Sequence, residues 1–163
     1  MYTQILVPVD GSSTSDRGLD EAVKLAKLTG ARIRLVHVID QLFYAGGMEG
    51  FGAMTVDLIP LLREGGEKIL QACKIRVEAA GVPVDTVLFD SSSERVCDRV
   101  VTEATTWHAD LIVIGTHGRR GAGRVVMGSD AEQIVRHATT PVLLVRSDET
   151  TGLAPALTQT QAR

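Results

Sequence analysis

The stretch GTHGRRGAGRVVMGS, residues 115–129, combines the residue types that bind anions. It contains five glycines, three arginines and a serine at its end. Glycine lets backbone N–H groups approach a ligand without an intervening Cβ. The stretch follows an apolar run and precedes an amphipathic segment, and the amino end of a helix presents unpaired N–H groups and a partial positive charge. The sequence therefore predicts a phosphate-binding loop between a strand and a helix.

This loop offers three kinds of anion-binding group: backbone amides, one hydroxyl and mobile cations. The predicted amide and hydroxyl donors are Gly115, Gly118, Gly128 and Ser129. The predicted cations are Arg119 and Arg120. Ser129 also fits a plain capping role with Glu132, and His117 fits either a ligand contact or a solvated residue. The length of the loop is harder to explain by a purely connecting role, because strand-to-helix connections usually have roughly 2 to 6 residues.

Size, charge and cysteine usage restrict the class of protein. The 163 residues suffice for one domain with a substantial core. A formal net charge of −3 argues against a general nucleic-acid coat. No signal peptide or membrane-spanning run is evident, so we expect a cytoplasmic protein without membrane insertion. Cys73 and Cys97 have no metal-ligand spacing and are expected to be buried thiols.

Apolar runs alternate with amphipathic segments along the chain, which predicts five strands and four helices. The predicted strands are 4–9, 32–39, 82–89, 110–115 and 141–146. The predicted helices begin at Ser13, near residue 56, after Ser91 and at Ser129. Capping boxes are expected at Ser13 with Asp16, Ser91 with Glu94, and Ser129 with Glu132. Residues 40–54 are expected to form a loop. Strands this apolar, alternating with helices, indicate an α/β fold with a parallel sheet covered on both faces.

Two candidate site residues follow predicted strands directly. Asp10 comes after the first strand and Gly115 ends the fourth. In open parallel sheets ligands bind outside the carboxyl ends of the strands, where the winding reverses. Both residues would face one crevice if the two strands are neighbours, which the sequence alone does not fix. Asp10 also fits a turn residue or a cap before the first helix.

Several established site types are absent from the sequence. There is no GxxxxGK[ST], no GxGxxG opening a helix after the first strand, and no GxSxG. The four histidines show no metal-ligand spacing, and we assign no metal ligands. No catalytic residues are assigned either, since His117 is the only candidate general base near the loop. These absences favour a binding protein over an enzyme.

Five segments in order resemble the universal stress protein family. They are ILVPVDGS, VHVI, ADLIVIGTHGRRG, the pair GS at 128–129, and PVLLVR. The family's nucleotide motif G-x2-G-x9-G-[ST] is met by Gly115, Gly118, Gly128 and Ser129. The resemblance covers residues 1–146 as one universal stress protein domain. Residues 147–163 are polar and aperiodic, and are expected to form a disordered tail.

The resemblance implies a fold, a ligand and an assembly. The implied fold is a Rossmann-like, adenine-nucleotide α-hydrolase-like three-layer α/β/α sandwich, with a five-stranded parallel sheet in the order 3-2-1-4-5. That order makes the first and fourth strands neighbours. The implied ligand is ATP, with Mg²⁺ as an optional companion, and the implied assembly is a homodimer paired through the last strand. The expected function is that of a nucleotide-dependent regulatory protein of the stress response, with an unidentified regulatory protein as a further partner.

The resemblance also implies a role for individual residues. Asp10 and Gly115 would hold the ribose, Val38 would meet the adenine by its backbone, and Pro8 and Val9 would line the base pocket. Gly118, Arg119, Gly128 and Ser129 would surround the phosphates. The complete candidate set for the nucleotide is Pro8, Val9, Asp10, Val38, Gly115, Thr116, His117, Gly118, Arg119, Arg120, Gly128, Ser129 and Asp130.

Asp130 departs from the family's pattern, which more often has an apolar residue there. An acid suits the amino end of a helix but repels a phosphate. Asp130 would therefore either weaken nucleotide binding or hold Mg²⁺ beside the phosphates. Two alternative functions stay open at this point. One is a slow ATPase or self-phosphorylating enzyme, and the other is a dimeric interaction module that ignores nucleotide.

Overall fold

The computed structural model describes residues 1–40, 58–91, 94–116 and 127–146. The strands are β1 (Gln4–Pro8), β2 (Arg32–Asp40), β3 (Val84–Ser91), β4 (Leu111–Gly115) and β5 (Val142–Val145). The helices are α1 (Ser13–Thr29), α2 (Leu58–Ala79), α3 (Val96–Thr106) and α4 (Ser129–His137). Each predicted strand and helix is present, close to its predicted bounds. The predicted loop over 40–54 and the predicted tail over 147–163 lie almost entirely outside the described residues.

All five strands form one parallel sheet in the order β3-β2-β1-β4-β5. β1 pairs with β2 along its whole length and with β4 through Ile5 and Leu6. β2 and β3 lie on one side of β1, and β4 and β5 lie on its other side, so the winding of the sheet reverses at β1. The predicted strand order is confirmed, and with it the adjacency of the first and fourth strands.

Two apolar cores fill the space between the sheet and its helices. The strands are apolar on both faces because both faces are covered, and Ile5, Leu6 and Val7 have no exposed surface. One core joins the sheet to α1 and α2, and its members include Leu19, Ala22, Leu35, Leu70 and Val77. The other joins it to α3 and α4, and its members include Leu6, Val36, Val100, Ile112 and Ile134. The α/β/α sandwich is confirmed.

The helices begin at other cap residues than those predicted. α1 is capped by Ser12, whose hydroxyl accepts from the amide of Ser15, rather than by Ser13. α3 is capped by Arg95 without a side-chain bond, because Ser91 still belongs to β3. A cap is fixed by where the backbone turns into the helix, and that point depends on how far the preceding strand extends.

Arg34 joins three elements at the amino edge of the sheet. Its guanidinium binds the Asp85 carboxylate of β3 through two bonds of 2.9 and 2.6 Å, and Glu103 of α3 at 2.7 Å. The same group stacks on Trp107, 4.7 Å from the ring centroid. Its hydrogen bonds with Asp85 raise the pKa of Arg34 above the ordinary value. The bidentate pair with Asp85, which is half exposed, and the more buried pair with Glu103 together hold β2, β3 and α3 in their relative positions.

The two cysteines are free and buried, as the sequence predicted. Burial raises the pKa of the Cys73 thiol, and the neighbouring carboxylate of Asp16 raises it further. Burial also raises the pKa of the Cys97 thiol. Both thiols therefore stay protonated at neutral pH and behave as small apolar groups. Among the described residues, no helix combines the length and the apolar character needed to cross a membrane.

Two adjacent glycines in α2 should respond in opposite ways to alanine. A Cβ at Gly65 would meet nothing within 4 Å, whereas one at Gly66 would lie 2.7 Å from Cδ2 of His37 and 2.8 Å from Cδ1 of Leu88. We expect Gly65→Ala to stabilise the protein by about 0.5–1 kcal/mol, because glycine is a poor helix former. We expect Gly66→Ala to destabilise it by about 1–3 kcal/mol through overpacking.

Urea-induced unfolding, followed by the fluorescence of Trp107, measures both changes. Each glycine variant serves as the control for the other, since the two substitutions are chemically identical and one position apart. Equal midpoints for the two variants would contradict the close packing of α2 on β2 and β3.

Candidate functional site

The candidate site lies at the carboxyl edge of the sheet, where β1, β2 and β4 end. The register pairs Pro8 with Val36 and Leu6 with Ile112. Continued along the strands, the same register places Asp10 level with Val38 on one side and with Thr116 on the other. The structure thus brings together candidate residues from three separate segments of the chain.

The two ends of the glycine-rich loop are held together by a hydrogen bond. The amide of Gly128 donates to the carbonyl of Thr116 over 2.7 Å. The amide of Thr116 in turn donates to the carbonyl of Val145 in β5, over 2.9 Å. The amino end of α4 therefore lies directly beside the carboxyl end of β4. The predicted strand–loop–helix arrangement is present at both of its ends.

Helix α4 begins without a side-chain cap. Gly128 is its cap residue, so the predicted capping role of Ser129 is wrong. The first helical bond runs from the amide of Glu132 to the carbonyl of Gly128, over 2.9 Å, and Ser129 is exposed in the first turn. A glycine cap offers no oxygen to the first-turn amides. This helix end consequently presents backbone donors and the positive end of its dipole.

Asp130 lies in the first turn of α4, close to the start of α3. Its carboxylate is near enough to Cys97 to help raise the pKa of that thiol, after burial and Asp98. Glu132 adds a second carboxylate to the same turn. Two acids stabilise the positive helix end but also place negative charge where an anion would bind. This position is compatible with both effects predicted for Asp130, which are weaker nucleotide binding and the binding of Mg²⁺ beside the phosphates.

Gly115 is required by packing as well as by its place in the motif. A Cβ at this residue would lie 2.7 Å from the carbonyl oxygen of Thr14 and 2.8 Å from its carbonyl carbon. Both are backbone atoms of the first turn of α1, so they cannot shift without displacing the helix. Gly18, one turn later in α1, completes the contact, because a Cβ there would lie 3.3 Å from the amide nitrogen of Gly115. This packing role was not predicted from the sequence.

Asp10 closes the turn between β1 and α1. One oxygen of its carboxylate accepts from the amide of Ser12 at 2.9 Å. Its own amide donates to the hydroxyl of Ser15 at 3.2 Å. Asp10 therefore is a turn residue, one of the roles predicted for it, and the turn fixes its carboxylate at the end of β1. Fixing it there is also what a ribose-binding role would need.

Val9 is held by a side chain that sequence reasoning missed. The ring Nδ1 of His37 lies 2.6 Å from the Val9 carbonyl, and His37 is buried. Because a carbonyl only accepts, Nδ1 must carry the proton of this bond. The alternating pattern of β2 could have indicated this role, because it places His37 on the same buried face as Leu35 and Ile39. A buried ring nitrogen needs a hydrogen-bond partner.

Half-buried apolar side chains line the α3 and α4 face of the sheet near this edge. Val38 of β2 and Phe89 of β3 are register partners on that face. Both pack on the core beneath α3 and α4, as do Val96 and Met127. Pro8 is also half-buried. These side chains offer a flat ligand ring an apolar surface beside the backbone of Val38.

Four candidate residues of the loop, His117, Gly118, Arg119 and Arg120, lie outside the described residues. Within the described part of the chain, no three His, Cys, Asp or Glu side chains are grouped as a metal site would need. The described site is thus made largely of backbone groups, Asp10, Ser129 and Asp130.

Comparison with known proteins gives a consistent result. The universal stress protein family model matches residues 1–146. A universal stress protein of Methanocaldococcus jannaschii is 32% identical over 146 residues, which cover 90% of this chain and 83% of the relative. A solved structure from the same family in Burkholderia pseudomallei is 33% identical, with a TM-score of 0.72 over 90% of this chain and 97% of its own.

A third similar protein was solved with a ligand. It is the universal stress protein from Archaeoglobus fulgidus in complex with dAMP. It is 25% identical to this chain, with a TM-score of 0.62 over 88% of this chain and 98% of its own.

The packing of Gly115 leads to a stability prediction. We expect Gly115→Ala to lower the free energy of unfolding by about 1–3 kcal/mol without any ligand, because the new methyl group meets the backbone of Thr14. Urea-induced unfolding in nucleotide-free buffer measures the change. Gly65→Ala is the control, since it adds the same methyl group where nothing lies within 4 Å. Unchanged stability of Gly115→Ala would show that α1 does not rest on the end of β4 as described.

Proposed function

The chain belongs to the universal stress protein family, and from this premise we propose that it is an ATP-binding regulatory protein that acts as a homodimer. The observation that supports this most directly is the Gly128–Thr116 hydrogen bond. It places the start of α4, which has no side-chain cap, beside the end of β4. Asp10 lies across the same edge of the sheet. A donor-rich helix end opposite a fixed carboxylate suits a molecule with phosphates at one end and a sugar in its middle.

We assign the phosphates to Gly128 and Ser129, together with Gly118 and Arg119 of the loop. The ribose is assigned to Asp10 and Gly115, since a carboxylate accepts hydrogen bonds from both sugar hydroxyls. The adenine is assigned to the backbone of Val38, beside Pro8 and Val9. The related protein from Archaeoglobus fulgidus supports an adenine nucleotide, because its structure contains dAMP.

The energetic scale explains why all three parts of the nucleotide must be bound. A charge at a helix amino end contributes at most about 2 kcal/mol. Micromolar affinity needs about 8 kcal/mol. The helix end alone therefore cannot give micromolar affinity, and further binding energy must come from the base and the sugar, on the β1 and β2 side of the site. The half-buried apolar surface around Val38 is suited to supply it.

The proposed dimer interface is the free edge of β5. This strand pairs only with β4 in the described sheet, and its four residues are half-buried. The amides of Ile112 and Thr116 donate to the carbonyls of Pro141 and Val145. Since the pairing alternates along a parallel strand, Val142 and Leu144 direct their backbone groups away from β4. An apolar edge with unpaired backbone groups is normally covered, and a second copy of the strand would cover it.

ATP binding is the first test. Isothermal titration calorimetry with ATP and Mg²⁺ should give a dissociation constant in the micromolar range, near 8 kcal/mol of binding free energy. Asp10→Asn should weaken binding by about tenfold, because it keeps an oxygen for the Ser12 amide but loses the charge and one acceptor. Asp20→Asn is the control, since Asp20 is exposed on α1 and pairs with Arg76.

Absence of heat and of bound ATP at millimolar nucleotide would contradict the proposed function. Equal affinities of Asp10→Asn and the wild type would contradict the ribose assignment alone. Chromatography of the nucleotide after prolonged incubation reports whether ADP is formed, and sustained turnover would favour the enzyme alternative.

Sedimentation tests the dimer. The wild type should sediment at twice the mass of the chain. Leu144→Pro should sediment at the mass of the chain, because proline removes an outward amide while the bonds to β4 stay in place. Leu144→Ala controls for the lost side chain, since it keeps the amide, and should still dimerise. A folded Leu144→Pro variant that sediments as the wild type does would rule out this edge as the interface.

A further inference from the structure

We propose that His37 is a positioning residue for the candidate nucleotide site: it touches no ligand, but its ring fixes the Val9–Asp10 peptide and leaves the backbone of Val38 available to the base. The inference rests on the proposed function, and it extends that function to a residue on the opposite face of the sheet. The geometry that points to it is the 2.6 Å contact between Nδ1 of His37 and the Val9 carbonyl.

The first step concerns the direction of the backbone groups in β2. The carbonyl of Val36 accepts from the amide of Val9 at 2.8 Å, whereas the amide of Ile33 donates towards β3, to Pro83, at 2.8 Å. Backbone groups of even-numbered residues in β2 thus face β1, and those of odd-numbered residues face β3. The amide and carbonyl of Val38 therefore face the β1 side, at the level where β1 has already ended.

The second step concerns the carbonyl of Val9. If the ladder continued, this carbonyl would be the acceptor for the amide of Val38. The ring of His37 supplies a donor to it from the α2 side of the sheet. The Val9 carbonyl therefore does not depend on Val38 for a partner. That arrangement suits a site in which the Val38 backbone serves a ligand.

The third step concerns what holds the ring itself. His37 has only 6% of its surface exposed, and Gly66 of α2 lies against it so closely that a Cβ would come within 2.7 Å of Cδ2. Leu88, the register partner of His37 in β3, lies beside the ring under the same glycine. The ring is packed between α2 and the sheet, with its Nδ1 directed at the Val9 carbonyl. A chain of contacts thus runs from α2 through His37 to Val9 and Asp10.

The fourth step concerns Asp10, which follows Val9 directly. Its amide donates to Ser15 and its carboxylate accepts from Ser12. The peptide between Val9 and Asp10 is therefore held at its carbonyl by His37 and at its nitrogen by α1. Without the ring, the carbonyl loses its donor and the peptide can rotate, which moves the carboxylate proposed to bind the ribose.

Two substitutions separate positioning from mere structural support. His37→Leu removes the donor at similar size, while His37→Asn places an amide N–H close to the position of Nδ1. ATP affinity is measured by calorimetry with Mg²⁺, at a temperature where urea titrations show each variant to be folded. His37→Leu should bind ATP at least about tenfold more weakly than the wild type, and His37→Asn within about threefold of it.

The outcomes are distinct. If the wild type does not bind ATP, the proposed function fails and the role of His37 fails with it. If the wild type binds and folded His37→Leu binds equally well, only the His37 proposal is overturned. A purely structural role would lower the stability of both variants and leave the affinity of the folded protein unchanged.

A second pair of variants serves if His37→Leu does not fold. Gly66→Ala keeps the histidine but displaces its ring, and Gly65→Ala adds the same methyl group without contact. Gly66→Ala should weaken ATP binding by about threefold or more, whereas Gly65→Ala should leave it unchanged. Equal affinities for this pair would overturn the proposal.

Discussion

The arrangement of the candidate site depends on the missing side chain at residue 115. The backbone of Thr14 occupies the position that a Cβ at this residue would take. The first turn of α1 can therefore lie on the end of β4, and the same turn begins only a few residues after Asp10. One steric constraint thus fixes the end of β4, the start of α1 and the turn that carries the carboxylate. The glycine of the motif is needed here before any ligand is considered.

The remaining groups of the site are positioned by bonds between different elements. β5 holds Thr116 through the Val145 carbonyl, and Thr116 holds the first residue of the α4 end, Gly128. On the other side, β2 contributes the ring that holds Val9. The core supplies rigidity, because the middle of β1 and the whole of β4 are buried between helices. The site is therefore assembled from strand ends, as expected where the winding of a parallel sheet reverses.

The sequence predicted the elements well because buried strands and amphipathic helices differ in their apolar periods. The strand order followed from the family resemblance, since hydrophobic pattern alone does not say which strands are neighbours. Helix starts were predicted less well: Ser129 looked like a cap, but the chain turns into α4 at Gly128. The pattern of β2 predicts that His37 is buried but not which atom it binds, and it was the packing role of Gly115, not its place in the motif, that was missed. Each depends on an atom that is distant along the chain, the Val9 carbonyl or the Thr14 backbone.

The two helix ends at this edge of the sheet differ in a way that bears on the orientation of a nucleotide. At α1, the Ser12 hydroxyl accepts from the amide of Ser15, and the Asp10 carboxylate accepts from the amide of Ser12. Two of the donors at that end are thus bonded to side chains, and the Asp10 carboxylate precedes the helix. At α4, the cap is a glycine, which has no side-chain oxygen to offer. Phosphate oxygens need donors, and sugar hydroxyls need acceptors. The chemistry of the two ends therefore favours phosphates at α4 and the sugar beside α1, with the base continuing towards Val38.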